Sequence, residues 1–143
     1  MIQIYPAECL RKVSEPVTEF NYSLRQIVNN MKDDMGKYVG IAAPQIGINK
    51  NIIVLKFMKY IVMINPVVTL YGKNLYEFEE GCLSLPGEKV KIKRPDYVAV
   101  DYQDVNGSSK SIEFEYFFSQ AYQHEQDHLL GKLIIDYKEQ GND

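Results

Sequence analysis

The chain contains two histidines, His124 and His128, which stand four residues apart in the run QHEQDH at 123–128. On a helix, positions i and i+4 lie on one face, so two imidazoles at this spacing can bind one metal ion. Glu125, beside the first histidine of this HExxH pattern, can then act on a metal-bound water. The alternative interpretation is a solvated polar helix turn that happens to contain two histidines.

A metal site of this kind needs a third ligand from elsewhere in the chain, because a catalytic divalent metal commonly has three protein ligands and one position for water. Cys82 is the best candidate, because Gly81 and the Pro-Gly pair at 86–87 favour a sharp turn that presents a thiolate. The carboxylates that offer alternatives are Glu79, Glu80 and Asp127, and, in the apolar tail, Asp136 and Glu139. One sulfur and two nitrogens suit zinc, iron(II), nickel and cobalt, so the spacing does not select the metal. A covalent role for Cys82 would leave the histidine pair and Glu125 unexplained.

The composition is that of an ordinary globular protein, with 143 residues, 45% hydrophobic and 24% charged. The net charge of −3 gives no sign of a nucleic-acid site, and we interpret Lys89, Lys91, Lys93 and Arg94 as an exposed face or guarded edge of a strand. Two cysteines are too few for a disulfide framework, so we expect reduced thiols rather than one structural disulfide. The chain shows no signal peptide and no run near the roughly 20 apolar residues that span a membrane, which predicts a soluble, cytoplasmic protein.

Two helices and several strands are predicted to position these residues. Apolar residues at helical spacing predict a helix over 22–37, with Met31 and Met35 in the core, and a second over 117–130 that ends at Gly131. The β-rich runs lie at 51–57, 60–65, 66–78, 97–102 and 111–116, and the last two are expected to pair. Residues 1–20 look irregular, and the apolar tail at 133–137 should pack on the body. Without a βαβ rhythm, this order predicts an α+β fold with mainly antiparallel sheets.

Three segments together resemble the peptide deformylase family: YVGIAAPQ at 38–45, EGCLS at 80–84 and QHEQDH at 123–128. Their order and spacing are those of the family, and the segment from Pro6 to Val13 is similar to its N-terminal segment. The resemblance implies antiparallel sheets packed around a central metal-binding helix, in a single catalytic domain over residues 1–143. It also implies a hydrolase that removes the N-formyl group from N-formylmethionyl peptides of nascent proteins and releases formate.

The resemblance implies a role for each matching position. One divalent metal, natively iron(II) and replaceable by zinc, nickel or cobalt, is bound by Cys82, His124 and His128. Glu125 is the general base and then the general acid, while the Gln45 amide and the Leu83 N–H stabilise the oxyanion. The backbone groups offered to an extended substrate belong to Val39, Gly40 and Gly81.

Phe117 and Ala121 precede His124 by seven and three residues, which puts them on the same helical face. Ala121 leaves room and Phe117 supplies an apolar wall, which suits an unbranched methionine side chain; the alternative is that both are ordinary core residues. The chain departs from the family at Tyr38, a bulky residue in place of a glycine at the entrance, and in the segment 116–122, which lacks the usual leading glycine.

Two other functions fit the pattern less well. A general HExxH metallopeptidase would cleave internal amide bonds, and a non-catalytic relative that binds peptides or ribosomes would have lost Glu125 or a ligand. The expected partners are N-formylmethionyl nascent peptides, with transient ribosome contact that does not use the long C-terminal helix of many bacterial members. Short forms of this kind look like those encoded by bacteriophages, which suggests a bacterial cytoplasm or that of a phage-infected host.

Overall fold

The computed structural model describes residues 1–140, without the side chains of residues 139 and 140. Within these residues, the α-helices are α1 (Tyr22–Met35) and α2 (Phe117–Leu129). The strands are β1 (Gly40–Ala42), β2 (Ile52–Phe57), β3 (Lys59–Tyr71), β4 (Leu75–Cys82), β5 (Leu85–Pro95), β6 (Tyr97–Gln103) and β7 (Ser109–Glu115). Short 3₁₀ helices lie at Glu8–Arg11, Ala43–Ile46 and Ile134–Gln140.

The strands form two antiparallel sheets. Five of them form one sheet in the order β1-β2-β3-β6-β7, and β4 pairs with β5 in a separate two-stranded sheet. Every neighbouring pair in both sheets is antiparallel. The predicted α+β fold with mainly antiparallel sheets is therefore confirmed, and so is the predicted pairing of β6 with β7.

Helix α1 covers one side of the five-stranded sheet. It begins where the Asn21 side chain accepts a hydrogen bond from the Leu24 N–H at 3.1 Å, a common way to satisfy a free amide at a helix start. Its buried stripe packs against β1 and β2, and both methionines of the predicted stripe, Met31 and Met35, lie in this core. The helix ends before Gly36, whose φ of 55° terminates the helical run.

Helix α2 differs from an ordinary surface helix because many of its polar residues are buried. Ser119, Gln123, His124, Glu125 and His128 are all buried, although burying polar groups is costly unless each finds a partner. The helix ends at Leu129, one residue before the predicted end at residue 130, and the glycine predicted to stop it, Gly131, has a φ of 75°. A set of buried polar residues on one helix indicates a site rather than a plain core element.

The predicted division at Pro66 is wrong, because β3 continues through the proline to Tyr71. The strand changes partner at this point: Ile64 still pairs with both β2 and β6, whereas Val67 onward pairs with β6 alone. A register shift between Ile64 and Val67 accommodates the missing N–H of Pro66, which is where a sheet tolerates proline. The chain breaks instead at 72–74, and the residues predicted to end the run belong to β4.

Arg94 and the lysines that precede it lie on opposite faces of strand β5. Lys91 and Lys93 are exposed and stand opposite Glu79 and Glu77 of β4, as expected for an exposed face. Arg94 lies on the other face of the strand and is 3% exposed, because side chains alternate along a strand. The prediction that Arg94 shares the exposed face is therefore wrong.

The apolar tail packs on the body, as predicted. Leu133 is buried with Leu10 and Leu85, while Ile134 and Tyr137 pack beside Val90 and Ile92 of β5. Neither α-helix of the described chain is long and apolar enough to cross a lipid bilayer.

An ion pair joins the N-terminal segment to this tail. Arg11 donates to Asp136 from Nη1 at 2.7 Å and from Nη2 at 3.0 Å, and the Leu133 N–H donates to the same carboxylate at 3.0 Å. Burial raises the pKa of Asp136, but these hydrogen bonds outweigh it and hold the pKa below the ordinary value of 3.8.

We expect Asp136→Asn to lower the free energy of unfolding by about 1 kcal/mol at neutral pH, because it removes the charge that pairs with Arg11. A lowered folded-state pKa stabilises the fold above the unfolded pKa, and the contribution is lost as the pH falls through the folded pKa. Urea unfolding should therefore show the two proteins converging below pH 3.8. Lys138→Met, which removes an exposed pair with Glu88, should cost much less. If the difference in the free energy of unfolding between the wild type and Asp136→Asn does not change with pH, this account is wrong.

Candidate metal centre and active site

The fold brings Cys82, His124 and His128 together, as the sequence predicted. One ligand atom from each of the three residues lies within 4.8 Å of the other two. Cys82 Sγ is 3.4 Å from His128 Nε2, and both imidazoles are largely buried. This cluster of one sulfur and two nitrogens is a donor set that a divalent transition metal accepts.

The three residues come from two elements, β4 and α2. Cys82 is the last residue of β4, and only Leu83 and Ser84 separate it from β5, so the thiol is presented at a tight hairpin turn. His124 and His128 are one turn apart on α2, with their ring centroids 5.1 Å apart. The sharp turn predicted around Cys82 is therefore present, and it faces the histidine side of α2.

A carboxylate fixes the orientation of the first imidazole. Glu80 Oε1 lies 2.9 Å from His124 Nδ1, which leaves Nε2 as the nitrogen available to the cluster. Histidines that bind metals commonly have such a partner on the other ring nitrogen, which sets the ring orientation and its tautomer. Glu80 was an alternative third ligand in the sequence analysis, and the structure places it behind His124 instead.

The other alternative carboxylates are also engaged elsewhere. Asp127 accepts hydrogen bonds from Arg94 and Tyr137, and Asp136 is paired with Arg11. Glu79 is exposed on the opposite face of β4. The side chain of Glu139 lies outside the described residues.

Hydrogen bonds from two neighbours, His124 and Arg94, keep Glu80 ionised. Arg94 donates to its carboxylate from Nε at 2.5 Å and from Nη2 at 2.9 Å. Burial raises the pKa of Glu80, but the hydrogen bonds from His124 and Arg94 outweigh it, and the pKa is lowered. An ionised Glu80 accepts a proton-bearing Nδ1, which supports the tautomer just described.

The electrostatics of the two histidines differ. Burial lowers the pKa of His124, but hydrogen bonds with Cys82 and Glu80 raise it well above the ordinary value of 6.5. Burial and the positive charges of His124 and Arg94 lower the pKa of His128 well below that value. A lowered pKa keeps His128 unprotonated, as a metal ligand must be, and Glu80 places a negative charge behind His124, so the residues present fit a divalent metal.

Glu125 lies beside this cluster, and a glycine makes room for it. A Cβ on Gly40 of β1 would be 2.6 Å from Glu125 Oε2, so the carboxylate occupies the space of the missing side chain. Burial raises the pKa of Glu125 to about 7. Its Oε1 is buried without a hydrogen-bond partner among the described residues, so one oxygen is free to bind a ligand.

The side-chain amide of Gln45, in the 3₁₀ helix Ala43–Ile46, points at the same cluster. Its Oε1 accepts the Ala42 N–H at 3.0 Å, which fixes the orientation of the amide and directs Nε2 inward. Nε2 donates to Ser84 Oγ at 3.2 Å and lies 3.7 Å from Cys82 Sγ. Gln45 is 1% exposed, so the amide is held in a buried position beside the candidate ligand.

A cavity of about 80 Å³ opens at this point. Its lining contains most of the predicted catalytic and binding residues: Val39, Gly40, Gln45, Gly81, Cys82, Leu83, Ala121, His124 and Glu125. His128 lies behind the lining. Phe117 is about half exposed and its ring packs against Phe57 and Phe118, so its role as a pocket wall stays a prediction.

Two residues at or near the site, Gln120 and Arg94, escaped the sequence analysis. Tyr38, noted there as a departure from the family, does line the cavity, and Gln120 lines it too although no pattern singled it out. Arg94 was missed because it follows three alternating lysines. Arg94 is two residues from Ile92 and four from Val90, so all three lie on the same face of the strand. That spacing was the available indication that Arg94 points inward.

The chain matches the family model described as polypeptide deformylase over residues 1–142. It is 42% identical over 139 residues to a peptide deformylase of Acidobacterium capsulatum, covering 92% of this chain and 81% of that protein. It is 40% identical over 143 residues to one from Thermodesulfovibrio yellowstonii, covering 94% and 86% respectively. The solved structure of a Thermotoga maritima peptide deformylase superposes with a TM-score of 0.92 at 37% identity, covering 95% of each chain.

The close approach at Gly40 gives a prediction about stability. Gly40→Ala should lower the free energy of unfolding by about 1–3 kcal/mol, because the new Cβ must displace the Glu125 carboxylate. In a Glu125→Ala background the same change should cost almost nothing, because the clash is gone. Thermal or urea unfolding of the four proteins in this double-mutant cycle measures the coupling. An equal cost of Gly40→Ala in both backgrounds would show that Glu125 is not the residue that requires the glycine.

Proposed function

Because this chain belongs to the polypeptide deformylase family, we propose that its Cys82–His124–His128 cluster holds the metal of a deformylation site served by Glu125 and Gln45. The chain is a hydrolase that removes the N-formyl group from nascent peptides. The single observation that carries the proposed site is the convergence of one thiol and two imidazoles within 4.8 Å beside a small cavity.

The family implies a divalent metal, and the donor set of this chain fits one. When bound, such a cation supplies Lewis acidity, which polarises a carbonyl oxygen and makes water a stronger nucleophile at neutral pH. We propose iron(II) as the native metal, with zinc, nickel or cobalt as replacements. The family resemblance supports iron(II), while one thiolate and two imidazoles are compatible with all four.

Glu125 is the proton carrier in this proposal. Its carboxylate lines the cavity next to His124, and Oε1 has no competing hydrogen-bond partner in the described chain. It takes a proton from the water that attacks the formyl carbon and delivers it to the leaving amine nitrogen, so that formate and a free N-terminus are formed. The buried position of Glu125 supports this role because burial raises its pKa to about 7, where a carboxylate can both take up and release a proton near neutral pH.

Gln45 and Leu83 form the oxyanion-stabilising pair of the proposal. The Gln45 amide is locked by Ala42, so its N–H groups are oriented before substrate arrives, and Leu83 lies in the tight turn that follows Cys82. Donors held in place in this way stabilise charge that develops in the transition state without having to reorganise.

The substrate lies between two backbone segments in this proposal. Val39 and Gly40 of one segment and Gly81 of another line the cavity, and Ala121 of α2 lines it too with a small side chain. Strand β1, which contains Gly40, is at the edge of the five-stranded sheet, so its outer side suits pairing with an extended peptide. We assign the methionine side chain to the space beside Ala121.

The partners follow from the substrate. Nascent formylated chains emerge from ribosomes, so we propose transient ribosome contact and a cytoplasmic place of action. The family match over residues 1–142 supports one catalytic domain.

Glu125→Gln should reduce formate release from a formyl-Met peptide by about 100-fold or more, because the amide cannot accept the proton. The metal content should stay at the wild-type level, since Glu125 is outside the ligand cluster. Peptides without a formyl group should remain intact with the wild type, which separates a deformylase from a general metallopeptidase. Unchanged formate release in Glu125→Gln would remove this residue from the mechanism.

Cys82→Ser should lose most bound metal and most activity, because a hydroxyl is a much poorer ligand than a thiolate. Cys9→Ser, which alters the other free thiol, is the matched control and should retain both. Elemental analysis of anaerobically purified proteins measures the loss and also identifies the native metal. Stoichiometric metal in Cys82→Ser would exclude the thiolate as a ligand, and zinc rather than iron in the wild type would contradict the proposed native metal.

A further inference from the structure

We propose that Tyr137 of the C-terminal 3₁₀ helix is a positioning residue for the metal ligand His124, acting through Asp127, Arg94 and Glu80. This inference rests on the proposed metal site. Tyr137 does not touch the ligand cluster itself. Its influence passes through three hydrogen-bonded side chains, which come from three different elements: Asp127 of α2, Arg94 of β5 and Glu80 of β4.

The outer end of this network is a triangle of polar groups. The Tyr137 hydroxyl donates to Asp127 Oδ2 at 2.7 Å, and Arg94 Nη1 donates to the same oxygen at 3.0 Å. Arg94 Nη1 also donates to the Tyr137 oxygen at 3.3 Å. The hydroxyl therefore donates to the carboxylate and accepts from the guanidinium, which is the one arrangement that satisfies all three groups.

Arg94 transmits this arrangement inward. Its Nη1 is held by Asp127 and Tyr137, while Nε and Nη2 grip the two oxygens of Glu80 in a bidentate pair. The guanidinium is planar and rigid, so fixing one nitrogen fixes the direction of the other two. Glu80 in turn holds His124 Nδ1 at 2.9 Å, so the orientation of the imidazole depends on the position of Arg94.

Burial makes this network sensitive to the loss of one member. Arg94 and Glu80 are 3% and 2% exposed, and Tyr137 is 9% exposed. Water cannot easily replace a missing hydroxyl at such positions, so removing it leaves Asp127 with one donor fewer and Arg94 Nη1 with one acceptor fewer, which weakens the hold on the outer end of the guanidinium. Asp127 also directly precedes His128 in the sequence, so the same triangle holds the stretch of α2 that carries this second histidine.

The apolar part of Tyr137 has a separate role. Its ring packs with Val90, Ile92 and Ile134 beside Cys82, and the Arg94 guanidinium lies 5.1 Å from its centroid. Tyr137→Phe keeps this ring and removes only the hydroxyl. The variant therefore tests the hydrogen bonds without opening a cavity.

Tyr122→Phe is the matched control. Tyr122 is a fully buried tyrosine on α2, the helix of both histidines, and its hydroxyl donates to Gln126 Oε1 at 3.0 Å. Its loss removes a tyrosine hydroxyl hydrogen bond on the same helix, but none that leads to Glu80. A general loss of stability would affect both variants alike.

The test uses the full chain, stripped of metal and reloaded anaerobically with Co²⁺, whose visible absorption reports on the ligand geometry. Chelator competition gives the Kd for Co²⁺, and urea unfolding gives stability. Removing a hydrogen-bond partner of a metal-binding histidine commonly costs about 10–100-fold in affinity, so Glu80→Gln should raise the Kd for Co²⁺ by that factor. Tyr137→Phe, which acts through other residues, should raise this Kd by about 3–10-fold. Tyr122→Phe should stay within about 2-fold of the wild type at a similar loss of stability.

The outcomes separate the two proposals. If the wild type fails to bind one Co²⁺ per chain, the proposed metal site is wrong and this inference falls with it. If the wild type and Glu80→Gln behave as expected but Tyr137→Phe matches the wild type in Kd and spectrum, the metal site stands and the positioning role of Tyr137 is wrong. Equal changes in Tyr137→Phe and Tyr122→Phe would also overturn it, because they would reflect stability alone.

Discussion

The buried ion pair between Arg94 and Glu80 is the interaction on which the site depends. Moving two charges out of water costs several kcal/mol for each ion, and the cost is offset only when the geometry and the remaining hydrogen bonds are good. Here the carboxylate is held by two guanidinium nitrogens and by His124, and the third guanidinium nitrogen reaches Asp127. Removing one partner from such a pair typically costs about 3–5 kcal/mol, so the orientation of His124 is tied to the stability of the fold.

The site is assembled where three structural layers meet. The β4–β5 hairpin contributes Cys82, Glu80 and Arg94, and α2 contributes the histidines and Glu125. Strand β1 closes the cavity with Gly40, whose missing side chain admits the Glu125 carboxylate. Apart from Val39, in the short turn before β1, each functional group is therefore placed on a helix, a strand or a two-residue turn, which holds the polar atoms in a fixed arrangement before substrate arrives.

The sequence predicted the helices better than the strands. Helix α1 ends at Met35 instead of the predicted residue 37, and α2 ends one residue before its predicted end. The helices were predicted this closely because 3.6-residue periodicity and nearby glycines, Gly36 and Gly131, define a helix locally. The long strand β3 was divided wrongly at Pro66. A proline is excluded from a strand only where its missing N–H would have bonded a neighbour, and that depends on a pairing that the local sequence does not contain.

The sequence by itself determined the candidate chemistry: two histidines one helical turn apart, a glutamate beside them, and a cysteine in a turn-forming segment. It left the third ligand open between Cys82 and several carboxylates. Only the tertiary structure decided that Glu80 stands behind His124 and that Arg94 points inward to hold it. The physical reason is that helix spacing is a property of neighbouring residues, whereas the partner of a buried charge is set by the packing of elements that are distant in the chain.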